Sequence, residues 1–169
     1  MKKILLGIWL CLAAGHVRAQ VLHRGDHILA TEIKQSAKKY KLLYVYCGWC
    51  KYSVERYPRV ASMVEGHADI AFYPISAQDS VEADGYMRKY GIRYPLYVID
   101  QGRRRKMIDL HNPIDVVCKY LTREFGFDTS RMGGSDFVLL DKDNHVLMQT
   151  DWDMNTDESL RRLKEYITP

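Results

Sequence analysis

The amino-acid sequence predicts an α/β domain, with a central mixed sheet and helices on both of its faces. Two observations predict it. Short apolar runs alternate with amphipathic stretches between residues 28 and 125. Strands separated by helices pair mostly in parallel, because each connection must cross a sheet face. Apolar runs on either side of Asp100-Gln101-Gly102, and again of Asp141-Lys142-Asp143-Asn144, then mark hairpins that add antiparallel strands. Such layers bury the apolar face of each element against the next.

The chain opens with Lys2 and Lys3, followed by a short apolar run from Ile4 to Ala14. Val17-Arg18-Ala19 offers small residues at the cleavage-site positions, so residues 1–19 read as an export signal cut before Gln20. The run is too short to span a bilayer comfortably. Cys11 follows Leu10, where a lipidation signal wants a small residue, so no lipid anchor is expected and Cys11 leaves with the signal. The expected destination is outside the cytoplasm, in the bacterial periplasm, with no stable membrane span.

Leu29, Ile33, Ala37 and Tyr40 recur at helical spacing, which predicts a helix over about residues 28–40. Leu42 to Tyr46 reads as a buried strand. A helix follows the next cysteines, interrupted or kinked at Pro58. Ile70 to Ile75 is the next strand. Ala83, Met87 and Tyr90 mark a third helix, ended by Gly91 where positive φ is favoured. Pro95 to Ile99 and Arg104 to Leu110 form the first predicted hairpin. Ile114, Val117, Cys118, Leu121 and Phe125 line one face of a fourth helix, with Pro113 in its first turn. Cys118 is expected to be a small buried thiol.

The remaining residues repeat strand, turn, strand and helix: Phe137 to Leu140, Val146 to Gln149, then Leu160, Leu163 and Ile167. Gly126 to Gly134 is the best linker. The expected organisation is therefore a signal over 1–19, a domain over 20–127, and a hairpin-and-helix extension over 128–169 packed on the same domain.

Charge limits the partners. Lys and Arg number 25 against 21 Asp and Glu, but loss of Lys2, Lys3 and Arg18 leaves 22 against 21. The dense run Arg103 to Lys106 reads as a solvated hairpin face, and no nucleic-acid partner is expected. The 150 residues left suffice for one core.

Chemistry concentrates at Cys47-Gly48-Trp49-Cys50, between an apolar strand and a helix. Unpaired N–H groups at a helix start stabilise a thiolate. That thiolate can attack a disulfide, and a second thiol three residues away can displace the product. Catalytic roles fall to Cys47 and Cys50, with Trp49 framing the contact. The partners are then protein thiols and disulfides, and no cofactor is needed because electrons enter and leave as thiols.

Lys89-Tyr90-Gly91-Ile92-Arg93-Tyr94-Pro95, 45 residues after Cys50 at its proline, resembles the thioredoxin segment that leads into a cis-proline. The resemblance to the thioredoxin-like superfamily covers about residues 28–125. It implies a thioredoxin-like fold and thiol–disulfide oxidoreductase activity. It also implies that Pro95 is cis and faces the cysteines, and that Tyr94 contacts substrate.

Two registers are open. Thioredoxin-like proteins show Trp-Cys-x-x-Cys with a proline five residues beyond the second cysteine. Laying Trp49-Cys50 on that pattern puts Ser53 at the second cysteine and Pro58 at the proline, and makes Cys50 the attacking sulfur. The other register sets Cys47 and Cys50 on the two family cysteines and leaves Pro58 three residues late. The first is favoured, because it leaves more room before the helix. Many thioredoxins also bury an acid beneath the cysteines, and Leu42 to Tyr46 has none.

Other chemistries fit less well. One cysteine pair supplies two of the four ligands of a structural zinc, and a copper role would need a methionine. Asp151, Asp153, Asn155 and Asp157 alternate like a calcium loop, but Thr156 and Arg162 stand where glycine and glutamate are required. They read as a helix start capped by Asn155 or Thr156. No metal site is expected. The rival to an enzyme is a binding module of the same fold with a structural or vestigial cysteine pair.

Overall fold

A computed structural model describes residues 19–22, 27–78, 80–99 and 112–168. The signal run through residue 18, His23, the turn Asp100-Gln101-Gly102 and the strand Arg104 to Leu110 lie outside the described residues. The elements are β1 (Gln20–Leu22), α1 (Ile28–Gln35), β2 (Tyr40–Val45), α2 (Lys51–Glu65), β3 (Ile70–Ser76), α3 (Ser80–Tyr90), β4 (Tyr97–Ile99), α4 (Pro113–Phe125), β5 (Phe137–Leu140), β6 (Val146–Gln149) and α5 (Thr156–Ile167).

The six strands form one sheet in the order β1-β4-β3-β2-β5-β6. The pairs β1–β4, β4–β3 and β3–β2 are parallel; β2–β5 and β5–β6 are antiparallel. Strand β2 is central and apolar on both sides, as parallel strands covered by helices must be. The pleat sends Leu42, Tyr44 and Tyr46 to one face, against Tyr57, Val60 and Val64 of α2 and Leu160, Leu163 and Ile167 of α5. Leu43 and Val45 go to the other, against Leu29 and Ile33 of α1 and Val117 and Leu121 of α4.

Several local readings correspond to what is seen. Asn155 caps α5, its Oδ1 accepting from the Glu158 amide at 2.9 Å. Pro113 opens α4, and Gly126 ends it in the left-handed region at φ 74. Gly91 follows α3 at φ 60.

Two expectations about helices need correction. Helix α1 stops at Gln35, because Tyr40 is drawn into the sheet opposite Ile70. Helix α2 runs without interruption across Pro58, which costs one intrahelical hydrogen bond but does not end the helix. Strand β4 runs parallel to both β3 and β1, and its expected hairpin partner, Arg104 to Leu110, lies outside the described residues. The antiparallel pair beside β2 is β5–β6, so the last hairpin continues the central sheet. Among the described residues no helix is long and apolar enough to cross a membrane.

Candidate functional site

Strand β2 delivers the chain to its C-terminal end, where the Tyr46 amide still donates to the Ile75 carbonyl at 2.7 Å. The next four residues close a turn, the Cys50 amide donating to the Cys47 carbonyl at 3.0 Å. Such a turn brings its first and fourth Cα atoms within about 7 Å, inside the span that a disulfide bridges. Cys50 is then the N-cap of α2, with extended backbone at φ −86 and ψ 115, and its carbonyl accepts from the Val54 amide at 3.0 Å. Helix starts leave their first N–H groups without intrahelical partners, and a negative charge is favoured there.

The two sulfurs differ in surroundings. Cys50 is partly exposed and Cys47 is 1% exposed; both are free thiols. Burial pushes the Cys47 thiol up to about 12, and the nearby Cys50 adds to the rise. The backbone N–H groups of Cys50 and Trp49 pull the other way and lose. Trp49 stands in solvent.

The turn is clamped from several sides. The Cys47 amide donates to Ser53 Oγ at 3.0 Å, and Ser53 is fully buried on the first turn of α2. The Gly48 amide donates to Gln78 Oε1 at 2.6 Å. The Tyr86 ring of α3 lies so close over Gly48 that a Cβ there would sit 2.5 Å from it. On the opposite side, a Cβ on Gly134 would lie 3.0 Å from both Cys47 Cβ and Ile114 Cδ1.

Gly134 reaches Cys47 because β5 runs antiparallel to β2, with Phe137 opposite Tyr44. The residues entering β5 therefore lie at the end where β2 delivers the cysteines. The Asp136 carbonyl accepts from the Val45 amide at 2.8 Å. Gly134 is buried and makes no hydrogen bond among the described residues.

Tyr94 and Pro95 do not join this site. Tyr97 of β4 is level with Ile75 and hence with Val45, all running in parallel. Pro95, two residues earlier, lies about 13 Å back from Cys47 along the strands and about 10 Å across two strand spacings. Its peptide bond is trans, correcting the cis expectation. Trans is the cheaper X–Pro isomer, and exposed Pro95 leads straight into β4. The Tyr94 ring packs edge-on against Phe72 at 5.0 Å, in a cavity of about 240 Å³ with Tyr57, Pro58 and Glu65. The structure thus joins Cys47, Trp49 and Cys50 with Ser53, Gln78, Tyr86 and Gly134. The adjacent glycines Gly133 and Gly134, separated by two residues from the apolar run Phe137 to Leu140, were the available signal for the facing strip.

A buried acid does stand close by, one residue before β5 rather than on β2. Asp136 is 1% exposed and accepts from the Gly133 amide (2.6 Å), Thr150 Oγ1 (2.9 Å) and Arg56 Nη1 (3.3 Å). Burial pushes its carboxyl up against these donors. Cys118 is buried on α4, its thiol pushed up to about 11 by burial. Asp141, Asp143 and His145 converge in the β5–β6 turn. Their oxygens already serve the turn amides and Lys142, so they are turn chemistry rather than a built ion site.

This arrangement of sheet and helices has counterparts among solved structures. The thioredoxin domain of a thiol-disulfide oxidoreductase from Bacteroides vulgatus matches at TM-score 0.52 and 12% identity, over 78% of this chain and 81% of that one. The fold is thioredoxin-like. StoA from Bacillus subtilis shares this thioredoxin-like architecture at TM-score 0.52 and 13% identity, over 78% and 84% of the two chains. A secreted disulfide oxidoreductase from Mycobacterium tuberculosis does so at TM-score 0.52 and 14% identity, over 76% and 84%. No family model and no curated protein matches the sequence. Within this thioredoxin-like fold Cys50 stands at the helix start, and Ser53 one turn inside it.

Proposed function

We propose that this chain is an exported thiol–disulfide oxidoreductase in which Cys50 attacks substrate disulfides and Cys47 resolves the product. One observation carries the reading. A partly exposed cysteine at the N-cap of a 15-residue helix is joined, through one tight turn, to a buried cysteine. The exposed sulfur can be reached by a large substrate, and the helix start favours its anion. The buried sulfur is within bridging range and shielded from competing disulfides.

The electron count closes. The Cys50 thiolate attacks one sulfur of the substrate disulfide; a Cys50–substrate S–S bond forms and the substrate's own S–S bond breaks. The displaced substrate thiolate takes up the proton that Cys47 must lose. The Cys47 thiolate then attacks the Cys50 sulfur, and the second substrate sulfur leaves as a thiolate that protonates from water. The substrate gains two electrons and the protein is left with a Cys47–Cys50 disulfide. A dithiol donor restores it by the reverse exchange, so the couple also runs as an oxidant. Gly134 lies against Cys47, so the strip Gly133–Ser135, rather than Tyr94 and Pro95, would hold the substrate backbone.

Cys47's near-complete burial also favours a second reading, a binding module whose cysteines only pack. Insulin reduction by dithiothreitol separates the two. The wild type is expected to accelerate it, and Cys50→Ser to abolish the acceleration. A wild type that leaves the uncatalysed rate unchanged supports the module.

A further inference from the structure

Most aromatic side chains here are packed. Tyr44, Tyr46, Tyr57 and Phe72 form one cluster beneath α2. Both described tryptophans are instead in solvent, Trp49 at 55% and Trp152 at 61% exposure, and Tyr52 joins them at 69%. Such residues add nothing to the core they avoid, and exposed aromatic clusters mark contact surfaces.

The three stand on segments, distant in the chain, that meet around the cysteine turn. Trp49 and Tyr52 bracket Cys50. Trp152 stands on the strip that faces Cys47. Its amide donates to the Arg131 carbonyl at 3.1 Å, and its Cβ lies 3.7 Å from where a Gly133 side chain would begin. Arg56, one turn beyond Tyr52 on α2, ties these segments together. Its guanidinium donates to the carbonyls of Ser135 (3.1 Å) and Met154 (3.0 Å) and to Thr156 Oγ1 (3.2 Å). The helix that begins at Cys50 is thus fixed to the strip and to the segment that carries Trp152. Between them the Gly134 amide and carbonyl make no hydrogen bond among the described residues. An extended chain laid alongside satisfies such unpaired backbone groups.

We infer that Trp49, Tyr52 and Trp152 select the substrate. It is an extended polypeptide whose disulfide is flanked by apolar side chains, in preference to a small disulfide such as oxidised glutathione. The backbone lies along Gly133–Ser135 and places its sulfur at Cys50. Flanking apolar residues cover Trp152 on one side and Trp49 and Tyr52 on the other. Oxidised glutathione is too small and too charged to cover both.

This rests on the thiol-exchange reading, and the experiment separates the two. Exchange rates are measured against two disulfide peptides, one flanked by Phe and Leu and one by Ser, and against oxidised glutathione. The apolar peptide is expected to react about tenfold faster than the Ser peptide. Trp152→Ser and Tyr52→Ser should each shrink that ratio while leaving the glutathione rate unchanged; both side chains are exposed, so the fold survives their loss. Equal rates in the wild type, or a ratio that survives both substitutions, overturn the inference. A second arm needs no exchange. The Cys47→Ser/Cys50→Ser protein is titrated with the same peptides, reduced and alkylated, and binding is read by tryptophan fluorescence. Selective binding without exchange keeps this surface and removes the oxidoreductase reading. Exchange without selectivity does the reverse, and absence of both overturns both.

Discussion

The Cys47 amide donates to the Ser53 hydroxyl at 3.0 Å, so the residue that opens the cysteine turn is held by the helix that closes it. Ser53 is fully buried, and its carbonyl also accepts from the Tyr44 hydroxyl at 2.9 Å. The turn, the first turn of α2 and the central strand are therefore one hydrogen-bonded unit. Ser53→Ala leaves the Cys47 amide buried without that acceptor. It is expected to cost about 1–3 kcal/mol of stability, read by urea denaturation. An unchanged midpoint and slope would show that the bond holds nothing in place.

The strip is tested at its two glycines. A Cβ on Gly134 meets Cys47 Cβ and Ile114 Cδ1, both at 3.0 Å, whereas one on Gly133 meets Asp136 Oδ2 at 3.4 Å and Trp152 Cβ at 3.7 Å. Gly134→Ala should therefore cost about 1–3 kcal/mol by overpacking and slow thiol exchange, with Gly133→Ala distinctly milder on both. Equal effects at the two positions would contradict the close approach of Gly134 to Cys47.

Arg56 and Asp136 form an ion pair at 3.3 Å, with side chains 5% and 1% exposed. Removing one partner strands the other in a poorly solvated site. Arg56→Met is expected to cost about 3–5 kcal/mol, and the double change Arg56→Met/Asp136→Leu to recover part of that loss. Denaturation of the single and double variants gives the coupling. Additive losses would mean that the two groups act independently.

What could be read from the sequence was local. The apolar run before Cys47, the helix after Cys50, the Asn155 cap and the glycines that end α3 and α4 each follow from neighbours a few residues away. Which strand lies beside β2 does not follow from neighbours. Pro95 to Ile99 and Phe137 to Leu140 have the same apolar pattern. Long-range partners decide between them. Buried Lys41 Nζ donates to the Lys142 carbonyl and Asn144 Oδ1, both at 2.8 Å, and thereby holds the β5–β6 turn against β2. The misplaced Tyr94 and Pro95, and the overlooked Gly134, follow from that one ambiguity.

Alkaline pH should loosen the fold through its buried thiols. Burial raises Cys47 from the ordinary 9.0 to about 12 and Cys118 to about 11. Both folded values lie above the unfolded ones, so their contribution is complete below about pH 9 and is lost as pH rises toward the folded values. The buried phenols of Tyr44, Tyr46 and Tyr57, also raised by burial, extend the loss to still higher pH. Stability measured by denaturation above about pH 9 should fall, and fall less steeply in Cys47→Ala. Parallel profiles for wild type and variant would show that Cys47 ionises alike in both states.

The central claim is that the cysteine at the helix start attacks and the buried one resolves. Cys47→Ser and Cys50→Ser are each incubated with a disulfide-bonded protein substrate, quenched with an alkylating reagent and analysed for mixed disulfides by non-reducing electrophoresis and mass spectrometry. Cys47→Ser should accumulate a stable adduct through Cys50, since the displacing thiol is gone. Cys50→Ser should accumulate none, and its Cys47 should escape rapid alkylation at neutral pH. The reverse pattern, with adducts only through Cys47, would contradict the account and make Cys47 the attacking thiol.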